Sequence, residues 1–164
     1  MKKETYIKLM EHIRSCEKLA NLIRFLYTAL PSVMVVVYPV IVILNGIRSV
    51  DHKFILSIIV PAVTLAGVYI MRKLINRQRP YEKFMTASLI AKDKKGQSFP
   101  SNHAACGFVI AMTGFSVNPL LGFILLAVAL LIALTRIFAG VHFISDVIAG
   151  AAIGVLMGSV FLFI

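Results

Sequence analysis

The chain predicts an all-α integral membrane protein: a helical bundle of about five transmembrane helices preceded by an interfacial amphipathic helix. Three observations carry this. Of 164 residues, 59% are hydrophobic, and the mean hydropathy is +0.90. Several apolar runs approach the roughly 20 residues needed to cross a hydrocarbon core. The charged residues collect at the borders of those runs. The length allows one domain, 1–164, with room for only a handful of spans.

Residues 1–28 mix Lys2, Lys3, Lys8, Arg14, Lys18 and Arg24 with Ile7, Leu9, Met10, Ile13, Leu19, Leu22 and Ile23. Charges this dense are not drawn through hydrocarbon, so this segment is expected to lie in the interface as an amphipathic helix. A cleaved signal peptide fits poorly, because the apolar region starts only near Phe25. The bundle is expected over 29–164, with spans at 29–47, 54–71, 103–118, 120–135 and 143–164, the third being short. Asn118 before Pro119 is pushed out of helical geometry, which predicts a tight turn and an antiparallel pair around it. Pro31, Pro39 and Pro61 fall inside predicted spans and are expected to kink them. Gly150, Gly154 and Gly158 recur every four residues, giving a smooth face for close helix contact within the bundle.

The net charge is +10, from 17 Lys and Arg against 7 Asp and Glu. In a soluble chain this balance would suggest nucleic acid. Here the basic residues sit at membrane borders, where anionic headgroups are the nearer partner, so no nucleic-acid role is expected. Cys16 falls in the amphipathic segment and Cys106 in a span, which argues against a disulfide; both read as small apolar fillers. His12 and His52 lie in interfacial segments without evident partners. The run Lys92-Asp93-Lys94-Lys95-Gly96 reads as a solvated loop able to attract headgroups.

Three polar islands interrupt the apolar pattern, at 72–80, 100–103 and 135–146. The first, Arg72-Lys73-Leu74-Ile75-Asn76-Arg77-Gln78-Arg79-Pro80, directly follows a span. Arginine offers a planar fork of donors that suits phosphate oxygens, although snorkelling cations at a helix end would look alike. The second, Pro100-Ser101-Asn102-His103, opens an apolar helix. Ser101 and Asn102 can cap it, and the exposed N–H groups favour an anion. The third runs from Thr135-Arg136 to His142 and Asp146. On a helix, a spacing of four puts His142 and Asp146 on one face, so the carboxylate can orient the imidazole. An ionisable residue inside a span is a functional hypothesis in its own right; the alternative is a structural ion pair of Asp146 with Arg136.

Together these islands resemble the three-part signature of the type-2 phosphatidic acid phosphatases, which share a site with the vanadium-dependent haloperoxidases. That signature is a basic residue, six positions, then Arg-Pro; Pro-Ser-Gly-His; and Ser-Arg, five positions, His, three positions, Asp. Arg72 with Arg79-Pro80, Pro100-Ser101-Asn102-His103, and Thr135-Arg136 with His142 and Asp146 meet every spacing. Arg72 stands where the family usually has Lys, with Lys73 next to it as the alternative phosphate contact. Asn102 replaces Gly, and Thr135 replaces Ser. The resemblance implies that His142 attacks phosphorus, Asp146 holds its ring and His103 protonates the leaving oxygen. It also implies that Arg72, Arg79 and Arg136, with Ser101, hold the phosphoryl oxygens, with Asn102 nearby. Phosphoryl transfer needs mainly positioning and charge stabilisation, so no metal or other cofactor is required.

Two rivals belong to other classes. His103, His142 and Asp146 could form a two-histidine, one-carboxylate metal site, against which three nearby arginines would repel a divalent cation. A non-enzymatic channel or lipid scaffold could use the same bundle. The substrates implied by the resemblance are undecaprenyl diphosphate, phosphatidylglycerophosphate, phosphatidic acid or lipid A phosphates, as in compact bacterial enzymes. With five spans, the N-terminus and the islands share one side. That side holds 15 basic residues against Arg48 and Lys53 opposite. The positive-inside rule thus favours the cytoplasm, whereas the resemblance implies the outer face. Oligomeric state is not legible.

Overall fold

The computed structural model of the chain describes residues 3–48, 50–91 and 94–163. Lys2 of the amphipathic segment, Lys92 and Asp93 of the expected loop, and Ile164 lie outside the described residues. Among the described residues seven α-helices run in order: α1 Lys3–Ser15, α2 Glu17–Arg48, α3 His52–Ile75, α4 Pro80–Phe84, α5 Asn102–Thr113, α6 Pro119–Phe138 and α7 Ile144–Gly158. Single 3-10 turns, Gly114–Ser116 and Ser159–Leu162, extend α5 and α7. No strand occurs among the described residues.

Four of these helices, α2, α3, α6 and α7 with its extension, are long and apolar enough to cross a membrane. The fifth member of the bundle, α5, has 12 residues and rises only about 18 Å. It is the central element, packed against α2, α3, α6 and α7. Around it, exposed apolar side chains such as Val36, Ile59, Leu130 and Leu156 form the outer face of the bundle. This is the distribution expected when the solvent is lipid.

The amphipathic segment is shorter than its composition suggests. The chain breaks at Cys16, and residues 17–28 continue into the first long helix instead of lying beside it. α1 buries Tyr6, Met10 and Ile13 against Phe84, Leu89, Ala139, Val141 and Phe143, and leaves its charged face outside. Both cysteines are free, Cys16 exposed at the break and Cys106 half-buried in α5.

Helix ends follow local chemistry. Asp51 caps α3 by accepting from the Lys53 and Phe54 amides at 2.9 and 3.3 Å. Asn118 caps α6 by accepting from Leu121 N at 2.8 Å, with Pro119 in the first turn where its missing N–H is harmless. At this end of the bundle Asn45 donates to Ser116 at 2.7 Å, and Arg48 to the Val117 carbonyl at 3.1 Å. All three polar islands gather at the opposite end, together with α1.

The glycine stripe of α7 faces α5. A Cβ on Gly154 would lie 2.6 Å from the Ala105 carbonyl oxygen and 2.8 Å from Phe108 Cβ, and Gly150 and Gly158 meet Ser101 and Met112 as closely. Backbone therefore packs on backbone here, and the stripe is internal. Gly67 is the opposite case, exposed in α3 with nothing within 4 Å of an added Cβ. We expect Gly154→Ala to destabilise the folded protein by about 1–3 kcal/mol through overpacking. Gly67→Ala should stabilise it by about 0.5–1 kcal/mol. Thermal unfolding in detergent checks both, and similar shifts for the two would contradict the packing described.

Candidate active site

The first island is held by its own helix end. Asn76, left-handed at φ 40°, terminates α3 one turn after Arg72, and its N–H returns to the Arg72 carbonyl at 3.1 Å. Arg72 lies on the inward face and donates from Nη1 to the Pro100 carbonyl at 2.9 Å. Lys73, one residue further round the helix, points outward and stacks on the Tyr69 ring at 4.6 Å. Arg72, and not Lys73, therefore lines the cavity between the islands. Successive helical residues diverge by about 100°, which sets the two side chains apart.

Arg79 caps α4 from its backbone, its N–H donating to Glu82 Oε2 at 2.7 Å. Its side chain donates from Nε to the Gly96 carbonyl at 3.1 Å and from Nη1 to the Val141 carbonyl at 3.3 Å. The loop leading to the second island is fastened to the same segment. Gly96 N donates to the Glu82 carboxylate at 2.9 Å, Gln97 N to Asn76 Oδ1 at 3.2 Å, and Ser98 N to the Arg77 carbonyl at 2.8 Å. Ser101 then caps α5, and its own N–H reaches the Asp146 carbonyl of α7 at 2.8 Å.

The third island departs from a simple helical face. His142 lies in the turn before α7, and Asp146 is the third residue of that helix. Asp146 Oδ2 accepts from Phe143 N at 3.0 Å, and this cap, not a shared face, brings the carboxylate to 3.6 Å from His142 Nδ1. At that distance the contact is electrostatic, too long for a direct hydrogen bond. Ser98 bridges the gap. Its hydroxyl donates to Asp146 Oδ2 at 2.6 Å and lies 3.4 Å from His142 Nδ1. The ion-pair partner of Asp146 is Arg77, at 2.6 Å from Oδ1, and not Arg136. Arg77 also stacks on Phe143 at 4.5 Å.

With Nδ1 turned to Ser98 and Asp146, His142 leaves Nε2 toward the cavity. The cavity measures about 230 Å³, and Arg72, Arg79, Asn102, His103 and His142 all line it, joined by Tyr27, Tyr69, Lys94 and Gln97. No carboxylate among the described residues does. Ser101 and Asp146 stand behind this lining, fully buried. Arg136 is 1% exposed and sits behind Tyr27, its guanidinium 3.6 Å from the ring centroid and its Nη2 donating to the Tyr27 carbonyl at 2.6 Å. Its Nε and Nη1 have no acceptor. Among the described residues no three His, Cys, Asp or Glu side chains are grouped as metal donors.

The turn carrying His142 depends on α1. Gly140 adopts φ +72° under Tyr6 and Met10, and a Cβ there would fall 2.7 Å from Met10 Sδ. Tyr6 donates its hydroxyl to the Gly140 carbonyl at 3.1 Å. Burial pushes the Tyr6 phenol up to about 12, so it remains a donor. Sequence reasoning missed Ser98, Arg77, Tyr27 and Tyr6; none belongs to a recurring spacing, and only contact across the fold singles them out.

Burial lowers the His142 pKa to about 4, opposed by Asp146 and reinforced by Arg79 and Arg72. The imidazole is therefore neutral near pH 7, the form in which Nε2 holds a free lone pair. Because the folded pKa lies below the unfolded value of about 6.5, the unfolded chain takes up the extra proton between these limits. Stability is thus full above about pH 6.5 and lost as pH falls toward 4, by up to about 3 kcal/mol. We expect the melting temperature in detergent to fall between pH 7 and 4.5, and His142→Gln to flatten that dependence. Ser98→Ala should lower kcat about 10- to 100-fold with little change in KM, as loss of a positioning contact does.

With the geometry in place, comparison with known proteins identifies the family. The family model of the PAP2 superfamily matches residues 52–164. Bacitracin transport permease protein BcrC of Bacillus licheniformis is 29% identical over 111 residues, covering 66% of this chain and 55% of its own length. The chain thus spans about half the length of that curated relative. The crystal structure of Aquifex aeolicus LpxE matches with a TM-score of 0.74 at 25% identity, covering 98% of this chain and 94% of the other. A PAP2-type phosphatidylglycerolphosphate phosphatase from Bacillus subtilis shares the fold, with a TM-score of 0.53 at 20% identity over 97% and 91% of the two chains. The protein is a multi-pass membrane protein that belongs to the PAP2 superfamily.

Proposed function

We propose that this chain hydrolyses a phosphate or diphosphate from a membrane lipid through a phosphohistidine intermediate, without a metal. One observation carries the reading: a cavity lined by two buried arginines and two histidines, with no carboxylate among the described lining residues. Such a lining is matched to a phosphoryl group and mismatched to a cation.

In the proposed reaction, neutral His142 attacks phosphorus through Nε2. The N–P bond forms as the P–O bond to the lipid breaks, and His103 supplies the proton to the departing oxygen. His103 then takes a proton from water, whose oxygen displaces Nε2 and yields inorganic phosphate. Arg72 and Arg79 meet the phosphoryl oxygens from the cavity wall. Arg136 supplies charge from behind Tyr27, and its two unpartnered donors suit an oxyanion that reaches past that ring. Asn102 bounds the pocket at the start of α5, with Ser101 buried behind it. Asp146, with Ser98, holds the His142 ring. Uncatalysed monoester hydrolysis is among the slowest reactions known, so convergent cations are the main requirement.

The substrate class is a lipid whose phosphate reaches the interface while its tail stays in the bilayer. Polyprenyl diphosphates such as undecaprenyl diphosphate and glycerolipid phosphates such as phosphatidylglycerophosphate or phosphatidic acid fit this description. The site opens, in this reading, to the extracytoplasmic face, as the family resemblance implies. α1 packs on the turn that carries His142, so N-terminus and site share one side, and the positive-charge bias of that side argues the other way.

Purified protein should release phosphate from such lipids fully in EDTA and be inhibited by vanadate; activity lost to EDTA and restored by zinc or manganese would refute the reading. His142→Ala should lose at least about 10³-fold in turnover and form no acid-labile phosphoenzyme. Arg136→Ala should impair both KM and kcat, and normal kinetics would show the pocket to be misassigned. For orientation, a cysteine at exposed position 95 (Lys95→Cys, with Cys16→Ser) should react with an impermeant reagent in intact cells, and protection would place the site in the cytoplasm.

A further inference from the structure

Beyond the groups that the reaction uses, the cavity has a second set of donors. Lys94 and Gln97 line it from the loop before the second island, and Asn102 lines it from the start of α5. Lys94 is exposed, and no described carboxylate lies within ion-pair distance of it. The backbone that presents this pair is fastened on both sides. Tyr81 donates its hydroxyl to the Lys94 carbonyl at 2.5 Å, Gly96 binds Glu82 and Arg79, and Gln97 N binds Asn76. Gln97 is held at φ 52°, a left-handed conformation that a non-glycine residue adopts only when its surroundings impose it.

Charge and size point the same way. Lys94 adds a basic group to the lining beyond the arginines and histidines that the proposed transfer uses. At about 230 Å³ the cavity holds roughly the liquid volume of eight water molecules, more than the four heavy atoms of one transferred phosphoryl group occupy.

We propose that Lys94, with Gln97 and Asn102, forms a binding station for a second, non-transferred phosphoryl group of the lipid, so that the site prefers substrates carrying two phosphates over those carrying one. This rests on the phosphatase reading above and deepens it. The second phosphate could be adjacent, as in an isoprenoid diphosphate, or separated by a glycerol, as in phosphatidylglycerophosphate.

The test measures kcat/KM of wild type, Lys94→Gln and Lys94→Arg for three lipids: an isoprenoid diphosphate, phosphatidylglycerophosphate and, as the single-phosphate reference, phosphatidic acid. Lys94→Gln should lower the ratio of a two-phosphate lipid to the reference about tenfold, the loss of about 1.4 kcal/mol. Lys94→Arg should restore it. The lipid whose ratio falls identifies the spacing of the two phosphates. Inorganic pyrophosphate should inhibit the wild type more strongly than inorganic phosphate, and Lys94→Gln should narrow the gap. Ratios equal in all three proteins, or restored by neither charge, overturn the second station. The two failures are separable: no phosphate release by the wild type from any of the three lipids means that the phosphatase reading itself is wrong, whereas release with unmoved ratios removes only the station.

Discussion

One buried carboxylate organises the functional end of this molecule. Asp146 is fully enclosed, and its two oxygens accept from Arg77, Ser98 and the Phe143 amide while its backbone carbonyl accepts from Ser101. These partners come from all three polar regions of the sequence. A charge so enclosed is tolerable only when it is fully partnered, so the first helix exit, the loop to α5 and the start of α7 have to close on it together. The cavity is the space left between them. His142 follows as a consequence, because its ring lies against the same oxygen and the same serine.

The bundle below supplies the rigidity that this arrangement needs. In lipid, apolar contact between helices gains little over apolar contact with acyl chains, so close backbone approach has to do what the hydrophobic effect does in water. The α5–α7 pair meets that condition through Gly150, Gly154 and Gly158, which let α7 settle onto the backbone of α5. The helix that bears Ser101, Asn102 and His103 is thereby fixed against the helix that bears Asp146. α5 itself is too short to span alone, and being surrounded by the other helices lets it start deep enough to bring its first turn under the arginines.

Much of this is legible in the chain before any coordinates. Hydropathy marks the helices, the Asn118-Pro119 turn is written in two residues, and the spacings of Arg72, Arg79, His103, His142 and Asp146 point to one anion site. What escapes is whatever depends on direction instead of spacing. Arg72 and Lys73 are equivalent in sequence and differ only in which way the α3 surface faces. Arg136 is the partner that the sequence offers Asp146, but the fold brings Arg77 close and holds Arg136 against Tyr27. Ser98 carries no periodic signal, and Tyr6 lies 134 residues from the glycine whose carbonyl it meets. The break at Cys16 is invisible too, because the residues on either side are equally amphipathic.

The electrostatics of the cavity bear on how it would work. Burial and the arginines hold His142 neutral at physiological pH, even though Asp146 pulls the other way. A ring that stayed protonated would repel neither phosphate nor water but would have no lone pair to offer. In the proposed reaction the cations would act twice, by reinforcing the effect of burial on the His142 imidazole and by attracting the anion. A bound phosphoryl group would offset the effect of Arg72 and Arg79 on the ring, and the positive charge that an N–P bond would place there would meet the Asp146 carboxylate behind it. A carboxylate in that position would serve both proposed stages, since it can stabilise a cationic ring without repelling an incoming phosphate.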